Sequence, residues 1–557
     1  GNWFAEQAEP AADAGIDAAH VDSNAVAALR HLTSASAWDD LVRQWSECGT
    51  RLLTTHPDEV RQILADVPEQ VLCRHPRLLI GQAMVTALAT GTGGDLAPAL
   101  RAYADTGEQI VRRSVDALSL PDLLSAGTGY LCGQRARGRF EAAERFAAEL
   151  QERITHGAGV DVPDGDLAWF LVQRGLVHTL RGDDQAAIRC YRSAWDHSRA
   201  TAGHIAGPSA AANLAMTYAM RGQREQALLW LDRHREVDTR GRWIHNLVGL
   251  GARIARAALA LDELDQPRAA AELDRLGAVS ADLELWPFAA FLDAVYGLHH
   301  GEPAGALAGL TQTTRTYDRS LTEQGAALVL RSRAAADLLL ACGEGNRARQ
   351  VIDQRGEPAA ADAVSAMDAV AGVPLARLHL LSGDHQSAGA IAARLLGHPD
   401  CWERDHLELL LIRSVTALRQ DDPGTAGRLF AQAIGRYRRN RVLRAFATVP
   451  PDDLAALAGL NPDLLTPQEA SALATVRPVF TKPVDLVQLT RQEQRVLVEL
   501  ERSRSNKDIA DALYVSVSTV KTQLHAIYRK LGTTTRKEAI LRAHELTLLP
   551  HRPVADS

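Results

Sequence analysis

The stretch LAWFLVQRGLVHTLRGDDQAAIRCYRSAW, Leu167 to Trp195, carries apolar residues at three- and four-residue steps on both sides of a Gly-Asp-Asp break. That spacing describes two amphipathic helices rather than strands. Gly182 supplies the left-handed conformation that ends the first helix, and the small Ala187 lets the second approach it closely. The same signature, Gly or Asp and then Ala five positions on, recurs as Gly94 with Ala99, Gly138 with Ala143, Gly222 with Ala227 and Asp265 with Ala270. It continues as Gly301 with Ala306, Gly343 with Ala348, Gly383 with Ala388 and Asp421 with Ala426. Successive anchors lie 36 to 44 residues apart, a period of helical repeats.

Within the opening stretch, Gly175, Ala187, Tyr191 and Ala194 occupy the small and aromatic packing positions of a tetratricopeptide repeat, which this unit resembles. The next unit matches in part, through Leu214, Ala215, Tyr218 and Ala227. The expected fold is all-α: a tetratricopeptide-like solenoid of helical hairpins over residues 1–448, a linker with short helices over 449–488, and a terminal four-helix module over 489–550. Prolines at 450, 451, 462, 467, 478 and 483 mark the linker as long enough to let the last module move. A solenoid exposes a long binding surface. Trp169, Trp230, Trp243 and Trp286, with His245 and Asn246, are candidates to line one, although packing between helices is the commoner role for such residues. No ligand site is assigned from sequence.

Composition narrows the function. Hydrophobic residues make up 46% of the 557 positions and aromatics 5%, a balance that favours helix. The net charge of −7 is uneven: from Lys482 onward 13 Lys and Arg face 9 Asp and Glu, whereas the preceding residues carry 48 against 59. A mildly basic end on an acidic body suggests an appended nucleic-acid module. All five lysines, Lys482, Lys507, Lys521, Lys530 and Lys537, lie in that end. A G-x-x-x-x-G-K-[ST] phosphate loop needs a lysine, so Gly91 to Asp95, GTGGD, reads as a repeat turn. No cofactor is expected in this chain. Cys48, Cys73, Cys132, Cys190, Cys342 and Cys401 show no metal or disulfide spacing, and His299-His300 lacks a third ligand. With no signal peptide and no long apolar run, the expected location is cytoplasmic, with no membrane partner. No nucleophile-base pair or metal cluster points to an enzyme.

From Leu489 helix starts follow one another. Thr490 with Glu493 forms a capping box before Val496, Leu497 and Leu500; Ser505 caps a short helix with Ile509, Ala510 and Leu513 inward. Tyr514-Val515 makes the turn, and Ser516 caps a helix expected to bury Val517, Val520, Leu524 and Ile527. Gly532 ends it, and Thr535 with Glu538 opens the last helix, through Leu546. Four helices with a tight turn between the second and third make a helix-turn-helix domain.

The segments LTRQEQRVLVEL, SNKDIADALYVSVSTVKTQLHAIYRKLG and RKEAILRAHEL resemble the LuxR-type DNA-binding domain. Arg491 and Ser503 depart from it, standing where that family commonly has Pro and Gly. The third helix should lie in the major groove, presenting Ser518, Thr519, Lys521, Thr522, His525 and Arg529. By resemblance, Lys521, Thr522 and His525 align with positions that reach base edges. Asn506, Lys507, Thr519, Arg529 and Lys530 would touch phosphates, and the amides at the Ser505 and Ser516 helix starts add anion contacts. Lys482 reads as a solvated charge. The last helix exposes Leu541 and resembles the family's dimer contact, which implies two-fold binding.

Alternating strands of a phosphorylated receiver and the mixed sheet of an acyl-homoserine-lactone sensor are both absent from the pattern. A helical solenoid followed by this domain resembles the maltose-regulator class of large ATP-binding LuxR-type activators, with Asp66 to Gly91 similar to the opening of their sensor arm. In that class an amino-terminal ATPase precedes the solenoid; the chain opens Gly-Asn-Trp without methionine, so an ATPase of that kind either lies upstream of Gly1 or is naturally lacking. The expected function is a transcriptional regulator that binds promoter DNA, self-associates, and carries a small-molecule or protein effector on its solenoid. The alternative is an interaction scaffold whose terminal domain binds a partner.

Overall fold

A computed structural model describes residues 10–90, 97–114, 116–156, 162–199, 204–236, 248–277, 284–354, 366–487, 489–503, 505–546 and 548–549. Gly94, the Gly91 to Asp95 turn, Trp243, His245 and Asn246 lie outside the described residues. Every regular element among the described residues is helical, as the all-α reading expects. None of these helices is long and apolar enough to cross a membrane.

The chain divides into two units, one formed by residues up to Leu292 with Thr313–Leu328, the other by Asp293–Gln312 with Val329 onward. In the first, the hairpins pair Leu120–Ala136 with Phe140–His156, Asp164–Arg181 with Asp184–Ser198, Ala206–Met220 with Arg224–Glu236, and Leu250–Asp262 with Gln266–Leu276. Helix Asp164–Arg181 ends on Gly182 at φ +84°, whose N–H and that of Asp183 donate back to Thr179 and His178 carbonyls. Asp183 then caps the next helix, its carboxylate accepting the Ala186 N–H at 3.0 Å. Asp265, Asp384 and Asp422 repeat this device. A Cβ added at Gly175 would lie 2.4 Å from the Tyr191 ring, so only glycine admits the aromatic there. The Tyr191 hydroxyl meets Thr179 at 2.8 Å, satisfying both buried groups.

Two anchors differ from expectation. At Asp265 the left-handed residue is Leu264, φ +57°, so Ala269 is the fully buried residue and Ala270 is only partly covered. Gly301 does not adopt positive φ; the close approach in that repeat is instead between Gly297 and Ala306. The remaining described anchor glycines, Gly138, Gly222, Gly343 and Gly383, all take positive φ, as does Asp421.

In the second unit, hairpins Ala366–Leu381 with His385–Leu396 and Glu403–Arg419 with Pro423–Asn440 share a core around Leu409, Leu411, Phe430 and Phe446. The short helices expected in the linker are Pro451–Gly459 and Pro467–Ala474, and Leu457 and Leu473 pack into that same core. The segment after them is seated too. Val479 N–H donates to the Ala447 carbonyl, the Arg377 guanidinium lies over the Phe480 ring, and Val484 is buried where a Cβ on Gly345 would meet it at 2.7 Å. Val487 N–H donates to the Asn346 side chain at 3.1 Å. The linker therefore lies against the body as a strap, where proline content alone suggested freedom.

The arginines of the body are structural ties. Arg77 joins Asp122 and Asp166 on two successive hairpins, and Arg221 pairs with Asp184 across a buried interface. Arg333 and Arg377 share Asp337 and Glu408, with Asp405 also on Arg333, all buried. A planar, always-charged fork serves such multidentate buried sites better than an ammonium. His299 is half-buried, and desolvation, with the nearby Arg444, His300 and Arg377, holds its imidazole well below the usual range.

Candidate nucleic-acid interface

The terminal module is assembled from caps that the sequence spells out. Helices run Arg491–Arg502, Asn506–Leu513, Val517–Leu531 and Arg536–Glu545. Thr490 with Glu493, Ser505 with Asp508 and Thr535 with Glu538 each form a reciprocal capping box, while the Ser516 hydroxyl accepts the Thr519 N–H at 3.0 Å. Each cap stabilises its helix start by about 1 kcal/mol. Tyr514 turns the chain in the left-handed region at φ +56°, and Gly532 ends the third helix at φ +65°.

Val496, Leu497, Leu500, Ile509, Val520 and Leu524 bury together with Ile527, Leu531, Ala539 and Ala543 in a core that closes within the module. Val517 is a correction: it is 38% exposed, because it is the first helical residue and stands ahead of the buried stripe that begins at Val520. Leu513 is only partly covered. Of the two departures from the family pattern, Ser503 sits at φ −93°, a conformation that requires no glycine, and Arg491 simply occupies the first helical position. Arg536 reaches back to the Leu500 and Ser503 carbonyls, satisfying the open end of the first helix.

Opposite the core, Ser518, Thr519, Lys521, Thr522, His525 and Arg529 are all exposed on the third helix. The structure thus brings together on one face the residues that helical spacing groups. Ser505, Lys507 and Ser516 are exposed at the starts of the second and third helices, and Asn506 is half-buried. Among the described residues no carboxylate pairs with Lys507, Lys521 or Arg529. The Thr522 hydroxyl donates to the Ser518 carbonyl at 3.1 Å, which orients it along the helix.

Lys530 is placed differently. Its ammonium lies 2.6 Å from Glu493, the carboxylate of the first capping box, so it ties the third helix to the first. Lys530 and Thr490 N–H together pull the Glu493 carboxyl below its usual range despite burial. The charge expected on phosphate is already compensated inside the module. Besides Val517, two apolar groups of the module are exposed: Leu541 at 62% on the last helix, as expected, and Tyr514 at 95% in the turn, whose exposure sequence reasoning missed. Of the tryptophans singled out in the body, Trp169 and Trp286 line one cavity, whereas Trp230 packs edge-on against Trp195 under Arg233.

Residues 487–543 match the family described as bacterial regulatory proteins, luxR family. The module is similar to the uncharacterized transcriptional regulatory protein YhcZ of Bacillus subtilis (strain 168), 44% identical over 61 residues, which are 11% of this chain and 28% of that protein. It is 40% identical over 60 residues to the transcriptional regulatory protein LnrK of the same strain, covering 11% and 27%. To the CsgBAC operon transcriptional regulatory protein of Escherichia coli (strain K12) it is 35% identical over 57 residues, covering 10% and 26%. The chain spans about a quarter of the length of these curated relatives. Its terminal module is a LuxR-family helix-turn-helix domain.

Proposed function

We propose that this chain is a cytoplasmic DNA-binding transcriptional regulator, whose terminal module reads double-stranded promoter DNA and whose helical body receives the controlling signal. The observation that carries the reading is the polar stripe on Val517–Leu531, exposed as a unit and free of carboxylate partners at its cations. The transcriptional regulatory proteins to which the module is similar support it. In this reading Lys521, Thr522 and His525 reach base edges, while Asn506, Lys507, Thr519 and Arg529 hold phosphates with the amides at Ser505 and Ser516. Lys530 acts within the module, through Glu493. Two copies of the chain engage paired half-sites through the helix that bears Leu541.

Fluorescence anisotropy of the full chain on genomic duplex fragments tests this. Lys521→Ala should weaken binding by about 1–3 kcal/mol and relax discrimination at one base position. Lys530→Ala should instead lower the melting temperature of the module and leave the salt dependence of binding unchanged. Binding that is absent, or that is insensitive to salt, would overturn the assignment. The finer kinship with large ATP-binding regulators rests on Asp66 to Gly91 and on the order of body and module. A lysine phosphate loop encoded upstream of Gly1 would support it.

A further inference from the structure

The first unit encloses a cavity of about 330 Å³, at the lower end of the range that holds small organic ligands. Its wall draws on Trp38–Thr55, on both helices of the Pro76–Thr90 and Ala97–Ser114 hairpin, and on the leading helices of the hairpins that follow. Helix Pro76–Thr90 contributes Arg77, Ile80, Gly81 and Met84; helix Leu120–Ala136 contributes Leu124, Thr128, Cys132 and Arg135. Asp166, Trp169, Gln173, Leu176 and Leu180 follow at helical spacing on Asp164–Arg181, and Ser209 and Asn213 on Ala206–Met220. Trp286, stacked on Tyr317 at 4.0 Å between ring centres, closes one side.

The charges in this wall are already used. Arg77 donates to the Ser46 hydroxyl at 2.7 Å and lies 2.9 Å from Asp166 and 3.6 Å from Asp122, charge pairs without hydrogen-bond geometry. Arg135 is gripped by Glu284 at 2.7 and 3.1 Å and by the Gln173 carbonyl and side chain. Arg101, the remaining lining residue with a full charge, is exposed to solvent. A charged ligand would have to compete with these buried pairs for the same partners. Much of the rest of the wall is aliphatic or aromatic, so a sugar with many hydroxyls would leave most of them without partners.

Beside those ion-paired Arg77 and Asp166 atoms, two neutral polar groups stand in the wall. Asn213, 5% exposed, donates through Nδ2 to the Ser209 carbonyl, but its carboxamide oxygen has no hydrogen-bond partner. His204 accepts the Ala206 N–H on Nδ1, and burial lowers its pKa to about 4, so it is neutral and carries its proton on Nε2. Asn213 therefore offers an acceptor and His204 a donor.

We infer that this cavity is the effector site of the chain, and that its ligand is a neutral, largely apolar, aromatic-containing small molecule bearing a hydrogen-bond donor for Asn213. The inference rests on the sensor role proposed for the body and gives it an address. The probe is N-phenyl-1-naphthylamine, a neutral fluorophore with one N–H, titrated into the full chain without DNA. Its sulfonated counterpart, 8-anilinonaphthalene-1-sulfonate, serves as the charged comparison. The neutral probe should bind with one-to-one stoichiometry and at least tenfold more tightly than the sulfonate, and Leu176→Trp should abolish its binding while duplex DNA affinity stays unchanged. In the unmodified chain, hydrogen exchange with saturating probe should slow on Pro76–Thr90, Leu120–Ala136, Asp164–Arg181 and Ala206–Met220. Equal or tighter binding of the sulfonate, no saturable binding, or protection confined to other helices would each overturn the inference. Because DNA is absent from these measurements, their failure leaves the DNA-binding assignment standing, and loss of DNA binding leaves the cavity standing.

Discussion

Gly175 and Tyr191 show how much of this architecture depends on a single missing atom. A methyl at Gly175 would sit 2.4 Å from a fully buried ring whose hydroxyl is pinned to Thr179, so the ring cannot swing aside without breaking that bond. Gly175→Ala should destabilise the first unit by about 1–3 kcal/mol, read as a lower denaturant midpoint at unchanged slope. Glu469 offers a residue-scale test of electrostatics. Its carboxylate accepts two hydrogen bonds from Arg438 and the Thr466 N–H, and Arg438 first among these holds its pKa at about 2. Because the folded pKa lies below the unfolded one, the stabilisation is present above about pH 4.5. It is lost as pH falls toward 2. Carboxyl-carbon NMR should place the Glu469 midpoint near 2, and Arg438→Gln should return it toward the ordinary carboxylate range.

At the scale of elements, the helix starts of the terminal module were legible because capping is local chemistry: Thr490, Ser505, Ser516 and Thr535 each contact a residue three positions away. The same locality explains the successes at Gly182 and Gly383, where one residue's φ decides the turn. Leu264 was not legible, since nothing in its side chain announces a left-handed backbone, and the Lys530–Glu493 pair spans 37 positions that no short motif encodes. The polar face of the third helix followed from period alone, whereas the cavity could not, because its wall is gathered from four or more hairpins. Nor could the strap: composition reports its prolines, but only packing reports Val484 against Gly345. Asn346→Ala should free the Val487 N–H and raise hydrogen exchange and proteolytic cutting between Val479 and Val487, with little change in global melting.

For the whole molecule, the proposed two-fold engagement of DNA is a property that would need two copies of the chain. Leu541 stands 62% exposed on the last helix of a module whose own core is complete without it. Leu541→Glu should leave the circular dichroism spectrum intact, and should weaken binding to a duplex with two half-sites far more than to one with a single half-site. Equal losses on both duplexes would remove the paired-binding proposal. The acidic balance before Lys482 also acts at this scale, because it repels the polyanion and confines favourable encounter to the terminal module.

The strap from Val479 to Val487 sets an equilibrium as well as a shape. Lifting only its last part, Val484 to Val487, exposes one buried valine and breaks one hydrogen bond to Asn346, together about 3–4 kcal/mol, while Phe480 and the Val479–Ala447 bond stay seated. A clasp of that strength is open in roughly one molecule in a hundred to one in a thousand. An effector preferring the open form by a few hundredfold would bring the two populations to parity, which places the connection within the working range of an ordinary small-molecule signal.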